Sequence, residues 1–260
     1  MDRVIVVKIG GATFENRDTT IEDVISLQQQ GKLLVIVHGG GNLVTDWLAR
    51  LGINTSFVHG ERVTDRAVLE VVIAVLGGLV NKEIVAAINS AGGRAAGMSG
   101  VDGALVQGRV KDEALGYVAE VVNVNPEPLQ VMLRAGYIPV VSSLSLNLKP
   151  EAEGAPQILN INGDPIAGEI AAALGAERLI FLTDVEGVHD QSGELLSRLS
   201  EGEAEALITS GVVSGGMIPK IKACLRALSV HAAACIINGK QPHALLREIE
   251  GHGGGTSIYV

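Results

Sequence analysis

The chain has 260 residues, 47% of them hydrophobic and only 3% aromatic, with glycine at 33 positions. That is enough for one large α/β domain or two lobes around a sizeable core. A formal charge of −9 argues against general binding to nucleic acid or to an anionic membrane, since both need a basic surface, so any anionic substrate must meet locally placed Lys and Arg.

Residues 4–9 are a β-branched apolar run that begins almost at once, with no leader pattern before it. Lys8 stands near the carboxyl end of this strand, and Gly10 and Gly11 follow. Burying an unpaired ammonium is expensive, and a cation beside bare backbone suits a phosphate. A lysine that simply ends a strand beside a turn accounts for the stretch equally well. Thr19, Thr20, Ile21 and Glu22 have capping-box spacing and start a helix to about Gln30. Residues 33–37 form a second strand that runs into His38, Gly39, Gly40 and Gly41. Asn42 can cap the next helix, with Leu43, Val44, Trp47, Leu48 and Leu51 at helical spacing. Strand, glycine turn and helix together aim N-terminal N–H groups at an anion. The alternative is a plain tight turn, against which three successive glycines weigh.

Residues 57–63 carry Arg62 beside Thr64 and Asp65, which cap a long helix to about Ala91; Gly77 and Gly78 within it mark close packing or a kink. No apolar run of about 18 residues goes uninterrupted by Gly, polar or charged positions. Residues 95–98, 104–110 and 117–124 read as strands in hairpins rather than crossovers. A helix over 127–135 leads into a buried strand over 138–142. Residues 147–156 are polar and hold two prolines and one glycine, which predicts an exposed loop and a seam between lobes.

Next comes ILNINGDP at 158–165, where Asp164 reads as an N-cap with Pro165 at the first helical position. A strand over 178–182 ends in TDVEGV at 183–188. Ser200 and Glu203 form a capping box, a glycine-bearing loop covers 211–216, and a helix over 217–228 carries Lys220 and Lys222. Cys224 and Cys235 make neither a disulfide framework nor a metal-ligand set, so both read as reduced thiols of a cytoplasmic protein. A strand over 233–237, a helix over 243–248 and a strand over 256–260 close the chain. Strands alternate with helices along most of its length. This predicts an α/β fold: a three-layer αβα sandwich around a mainly parallel open sheet.

Ligands of such sheets sit outside the carboxyl ends of the strands, so Lys8, the glycines at 39–41 and Asp184 should share one edge. G-x-x-x-x-G-K-[ST], a first-turn G-x-G-x-x-G, HExxH and G-x-S-x-G are all absent. What remains suits phosphoryl transfer without covalent catalysis, which needs positive charge and backbone donors around the moving group. Lys8 and Lys220 can supply the charge from two sides, with Asp164 holding them in place. Asp164 as a pure N-cap and Lys220 as an exposed helix cation are the competing readings.

Eight blocks in order carry a resemblance across essentially the whole chain: KIGGA (8–12), VHGGG (37–41), GERVTD (60–65), VNK (80–82), GMSGVDG (97–103), NINGD (160–164), LTDVEGV (182–188) and GGMIPK (215–220). The chain resembles the amino acid kinase family, and within it the enzymes that phosphorylate the side-chain carboxylate of N-acetyl-L-glutamate in arginine biosynthesis. The resemblance implies the amino acid kinase fold in two lobes, 1–157 for the acceptor and dimerisation and 158–260 for the nucleotide. It implies ATP as donor, with Mg2+ carried by the nucleotide and no metal held by the protein. Lys8 and Lys220 would stabilise the transferring phosphoryl group, and Asp164 would position them. Gly10, Gly11, Gly40 and Gly41 would donate backbone N–H groups to phosphate and acceptor. Arg62 would clamp a substrate carboxylate, and Asn160 would hydrogen-bond the acceptor. Thr183, Asp184, Val185, Glu186, Gly187, Val188, His189, Val212, Val213, Ser214 and Met217 would line the nucleotide.

The sequence departs from the family pattern in places. Gly163 replaces the usual alanine of NINGD, and GNLVTDWL at 41–48 differs from the more usual GKEI-type continuation. No helix leads the first strand of the kind that links arginine-inhibited hexamers in similar enzymes, so the resemblance implies an arginine-insensitive homodimer. The rival readings are a sibling kinase of carrier-protein-bound aminoadipate in lysine biosynthesis and a non-catalytic nucleotide-binding module of the same fold.

Overall fold

The computed structural model describes residues 4–10, 17–58, 60–150 and 154–260. Its centre is strand β1 (Val4–Ile9), buried at all six positions. Alternation along β1 sends Val4 and Val6 into one core and Ile5, Val7 and Ile9 into another. A strand with apolar residues on both faces belongs inside a covered sheet, which is why the run is continuous rather than alternating.

The main sheet has eight strands. From one edge they are β12 (Arg198–Ser200), β14 (Gly255–Tyr259), β13 (Ala233–Asn238), β11 (Arg178–Thr183), β1, β2 (Leu33–His38), β8 (Ile138–Ser142) and β5 (Ala95–Ser99). All neighbours run parallel except β13 and β14. One face is covered by α5 (Glu127–Arg134), α6 (Gly163–Leu174), α7 (Glu201–Thr209) and α8 (Met217–Leu228), through residues such as Leu129, Ile170, Ala204 and Ile221. The other is covered by α1 (Arg17–Gln29), α2 (Gly41–Arg50), a long central helix and α9 (Ala244–Ile249), through Val24, Leu48, Val72 and Leu245.

That long helix comprises α3 (Arg66–Val72), a π-helical segment (Ile73–Val80) and α4 (Asn81–Ser90). Its 25 residues are long and apolar enough to cross a membrane. Here Val68, Val75, Ile84 and Ile88 bury it against the sheet. Gly77 and Gly78 fall in the π-helical turns, and a Cβ on Gly77 would lie 3.3 Å from Leu144 Cδ1. The glycine pair therefore marks both a change of winding and a close approach.

Beside the sheet stands a small closed barrel of β6 (Val106–Val110), β7 (Val118–Val124), β9 (Leu144–Asn147) and β10 (Ile158–Ile161). β6 and β7 form the expected hairpin, whereas β5 joins β8 in the main sheet. β10 pairs with β7 and β9, so the chain returns to the first half of the molecule before entering α6. A short hairpin, β3 (Phe57–Val58) with β4 (Glu61–Arg62), projects beside it.

Three caps differ from the sequence reading. Thr19 lies inside α1 rather than at its start. The N-cap of α2 is Gly40, at φ 147°, with no side-chain bond, and Asn42 lies within the helix. The N-cap of α6 is Asn162, whose Oδ1 accepts from the N–H of Asp164 at 3.0 Å.

Candidate active site

Lys8 shares the parity of Val4 and Val6, so its side chain leaves β1 on the face covered by α6 and α8. Because Asn162 takes the cap of α6, the carboxylate of Asp164 is released from that duty. Lys8 Nζ lies 2.5 Å from Asp164 Oδ1, and Lys220 Nζ, from the first turn of α8, donates to Oδ2 at 3.1 Å. Oδ1 is buried, and among the described residues the Lys8 ammonium is the group that meets it. Lys220 also donates to Gly216 O at 3.1 Å. Burial pushes the Asp164 carboxyl up, and the fields and hydrogen bonds of the two lysines more than offset it, leaving its pKa below the usual carboxylate range. The acid is ionised, and the triad carries a net positive charge.

Lys8 also lines a cavity of about 240 Å³ with Gly39, Gly40, Gly41, Arg62, Ser143, Asn160 and Asn162, and with an apolar wall of Val44, Val72, Leu76, Val118 and Ile161. Gly40 is confined: a Cβ there would lie 2.8 Å from Leu76 Cδ2 of the π-helical segment. The N–H groups of Gly40 and Gly41 have no hydrogen-bond partner among the described residues, as befits the orphan donors of a helix start. Gly10 differs, since its N–H donates to Leu182 O at 3.0 Å. What Gly10 offers a ligand is bare Cα, not a donor. Gly11 lies outside the described residues.

Arg62 is 9% exposed and has no carboxylate partner among the described residues. Nη1 donates to Thr55 Oγ1 at 2.9 Å, while Nη2 donates to Gly41 O at 2.9 Å and to Thr45 Oγ1 at 2.6 Å. Its guanidinium stacks over Phe57 with 4.7 Å to the ring centroid. Burial draws its pKa below the ordinary arginine value, yet guanidinium stays charged. A buried cation whose hydrogen-bond partners among the described residues are all neutral acceptors is a place for an anion. Asn160, on β10, donates to Thr64 Oγ1 at 3.1 Å on the same cavity wall.

Behind the glycine turn, His38 is fully buried. Its Nδ1 lies 2.8 Å from Gly39 O, and its Nε2 lies 3.1 Å from Asn81 Nδ2. Burial lowers its pKa to about 4, with Lys8 and Lys82 adding to the effect. His38 is therefore neutral, with Nδ1–H donating to Gly39 and Nε2 accepting from Asn81, and it is not a base.

The proposed nucleotide residues lie outside this cavity. Thr183 ends β11 beside Gly10, and Asp184, Val185 and Glu186 are exposed beyond it. Gly187 presses on Thr256, where a Cβ would meet Oγ1 at 2.5 Å. Val188 is buried in the core, and its N–H donates to the same Oγ1 at 2.8 Å. Val213 is also a core residue, while His189, Val212 and Met217 are half-buried and Ser214 is exposed. A second cavity of about 650 Å³ separates the hairpin tip from α6 and α8, and it shares Gly60, Glu61 and Asn162 with the first.

Sequence reasoning did not single out Asn162, Thr45, Thr55, His38 or Asn81. Asn162 and Asn81 sit inside the quoted blocks NINGD and VNK, and His38 inside VHGGG. Nothing local marks Thr45 or Thr55, because their partner Arg62 is brought to them by the hairpin.

A protein from Dehalococcoides mccartyi named acetylglutamate kinase is 47% identical over 257 residues, covering 99% of this chain and 94% of its own length. One of the same name from Nostoc sp. is 48% identical over 255 residues, covering 95% of this chain and 84% of its own length. Among solved structures, smu.665 from Streptococcus mutans UA159 superposes with a TM-score of 0.84 at 28% identity, covering 100% of this chain and 99% of that one. The model of the amino acid kinase family matches residues 3–238, and with the glycine turns, the lysine pair and the central sheet in place, the chain belongs to that family.

Proposed function

We propose that this protein phosphorylates the side-chain carboxylate of N-acetyl-L-glutamate with ATP, giving N-acetyl-L-glutamyl 5-phosphate and ADP in arginine biosynthesis. The observation that carries this reading is the Lys8–Asp164–Lys220 triad at the edge of a cavity that holds a buried arginine without a carboxylate partner among the described residues. The relatives named acetylglutamate kinase, at 47% identity over 99% of the chain, support the same acceptor.

In this reading Arg62 takes the α-carboxylate of the acceptor, Asn160 bonds its polar backbone, and the wall of Val44, Val72 and Leu76 takes the acetyl methyl. The side-chain carboxylate is directed at the glycine turn, where the N–H groups of Gly40 and Gly41 fix its oxygens. Attack on the γ-phosphorus forms one P–O bond as the bond to the β-phosphate oxygen breaks, and ADP leaves with the electron pair. No proton moves, because the nucleophile is already an anion; a site whose buried His38 is neutral suits that chemistry. Lys8 and Lys220 stand where charge spreads over the phosphoryl oxygens, and preorganised cations of this kind are worth about 10²–10³ in rate. Asp164 fixes the spacing between the two ammonium groups.

Residues 183–189, 212–214 and Met217 would receive the adenosine part of ATP at the end of β11 and around the start of α8. Magnesium would ride on the nucleotide phosphates, because the Asp164 carboxylate is already engaged by two lysines. Two lobes, an acceptor lobe over 1–157 and a nucleotide lobe over 158–260, a homodimer and a cytoplasmic location complete the proposal.

The test is an ATP-dependent hydroxamate assay with N-acetyl-L-glutamate, glutamate, aspartate and aminoadipate. Turnover of N-acetyl-L-glutamate well above the other three is expected. Folded protein that turns over none of them points to a non-catalytic nucleotide-binding module, and turnover of aminoadipate alone points to lysine biosynthesis.

A further inference from the structure

The segment that departs from the family pattern, GNLVTDWL, contains the closest partner of Arg62. Thr45 Oγ1 is 2.6 Å from Nη2, and it donates its own proton to Gly41 O at 3.0 Å. A hydroxyl has one proton and two lone pairs. With the proton committed to Gly41, the lone pairs are turned toward the guanidinium. Gly41 O itself accepts from the same Nη2 at 2.9 Å. Both Nη2 hydrogens are thus held by the first turn of α2, and one Nη1 hydrogen is held by Thr55 at 2.9 Å. Phe57 supports the flat face of the group. A guanidinium has five N–H donors, so Nε–H and the second Nη1–H are left; with both Nη2 hydrogens taken, these two leave the group on different edges, and a ligand oxygen meets one of them rather than a fork.

We infer that Thr45 is a positioning and specificity-determining residue for the acceptor: it latches Arg62, on the β3–β4 hairpin, to the glycine turn and so fixes where the acceptor's second carboxylate must lie. The inference rests on the acceptor reading given above. Thr45 does not line the cavity itself, so it acts through Arg62 and the Gly41 carbonyl to which both are bonded. Preorganisation of this kind strengthens binding by removing the ordering of a long side chain from the binding step. Its benefit reaches only acceptors that have a carboxylate for Arg62 to hold.

The measurement is calorimetric binding of N-acetyl-L-glutamate without nucleotide, together with steady-state kinetics. Thr45→Val keeps the shape and removes the hydroxyl. It should weaken N-acetyl-L-glutamate about five- to tenfold in both Kd and KM, while kcat and the KM for ATP stay within about twofold. Thr45→Ser should restore binding, and Thr55→Val should reproduce the acceptor-specific loss. The decisive comparison uses 4-acetamidobutyrate, the same acceptor without its α-carboxylate, whose binding Thr45→Val should leave unchanged. Equal losses for both acceptors, or no loss for either, overturn the inference while the functional reading stands. Wild-type protein that binds no N-acetyl-L-glutamate overturns both.

Discussion

Asp164 has each carboxylate oxygen within reach of a different ammonium group. Two lysines this close would repel without it, and a carboxylate this deeply buried would not ionise without them. His38 presents the opposite case, a buried group kept neutral. Its pKa falls from 6.5 to about 4, so between those values the unfolded chain binds the proton that the folded chain refuses. The stabilising difference is complete above pH 6.5 and is lost as pH falls toward 4. A displacement of about 2.5 pH units corresponds to about 3 kcal/mol. The His38 share of the unfolding free energy should therefore fall by about that much between pH 6.5 and 4, so His38→Gln should flatten the wild-type fall by a similar amount in denaturant titrations. Equal slopes in the two proteins would show that His38 does not govern acid stability. At this scale the sequence marked Lys8, Arg62 and Lys220 by charge at strand and helix ends. It set Asp164 between the two lysines but also gave it the cap of α6, because Asn162 and Asp164 are both good cap residues two positions apart and only the backbone geometry chooses between them. It left Thr45 unread because its contact with Arg62 spans 17 positions.

The spacing of the lysine pair is set between elements. α6 and α8 cross where Gly168 meets Ala223, and a Cβ on Gly168 would lie 2.9 Å from the backbone and side chain of Ala223. Asp164 is one turn before Gly168, and Lys220 is about one turn before Ala223, so this crossing holds their separation. Gly168→Val must push the helices apart. Overpacking of this kind costs about 1–3 kcal/mol, more than the few tenths that valine gains over glycine in helix propensity. Turnover should fall about tenfold or more as the ammonium groups move relative to the phosphoryl path. Gly163→Ala is the control, because its Cβ would sit 3.4 Å from Lys8 Cε in ordinary contact; stability should stay within about 0.5 kcal/mol of wild type. If Gly168→Val keeps both turnover and unfolding free energy, the crossing does not set the site. The long strands and helices were legible from periodicity, and the capping box at Ser200 and Glu203 formed as read. β9 and β12 were not legible: at four and three residues they carry too little pattern, and their existence depends on distant partners.

For the whole molecule, the alternation of strands and helices was enough to anticipate a parallel sheet with two covered faces. The antiparallel β13–β14 pair and the small barrel follow from non-local pairings that no local pattern encodes. β1 lies at the middle of the sheet, with β2 on one side and β11 on the other. The proposed acceptor groups gather on the β2 side, at the glycine turn, hairpin and barrel, while the proposed nucleotide residues follow β11 and precede α8. Two ligands so placed should stabilise the fold separately. A ligand at about 100 times its Kd adds about 2.7 kcal/mol, which in a chain of this size raises Tm by about 5–10 °C. N-acetyl-L-glutamate and a non-hydrolysable ATP analogue with Mg2+ should each give such a rise at fixed concentration. Lys220→Ala should lose most of the nucleotide's share and keep the acceptor's, and Arg62→Lys should do the reverse, since an ammonium cannot reproduce the fork that Thr45 and Thr55 hold. Lys8, reached from both sides, is the exception: Lys8→Ala should diminish both shares. Should Lys220→Ala abolish the acceptor's share as well, the two binding regions are one site, and the division of labour across β1 is wrong.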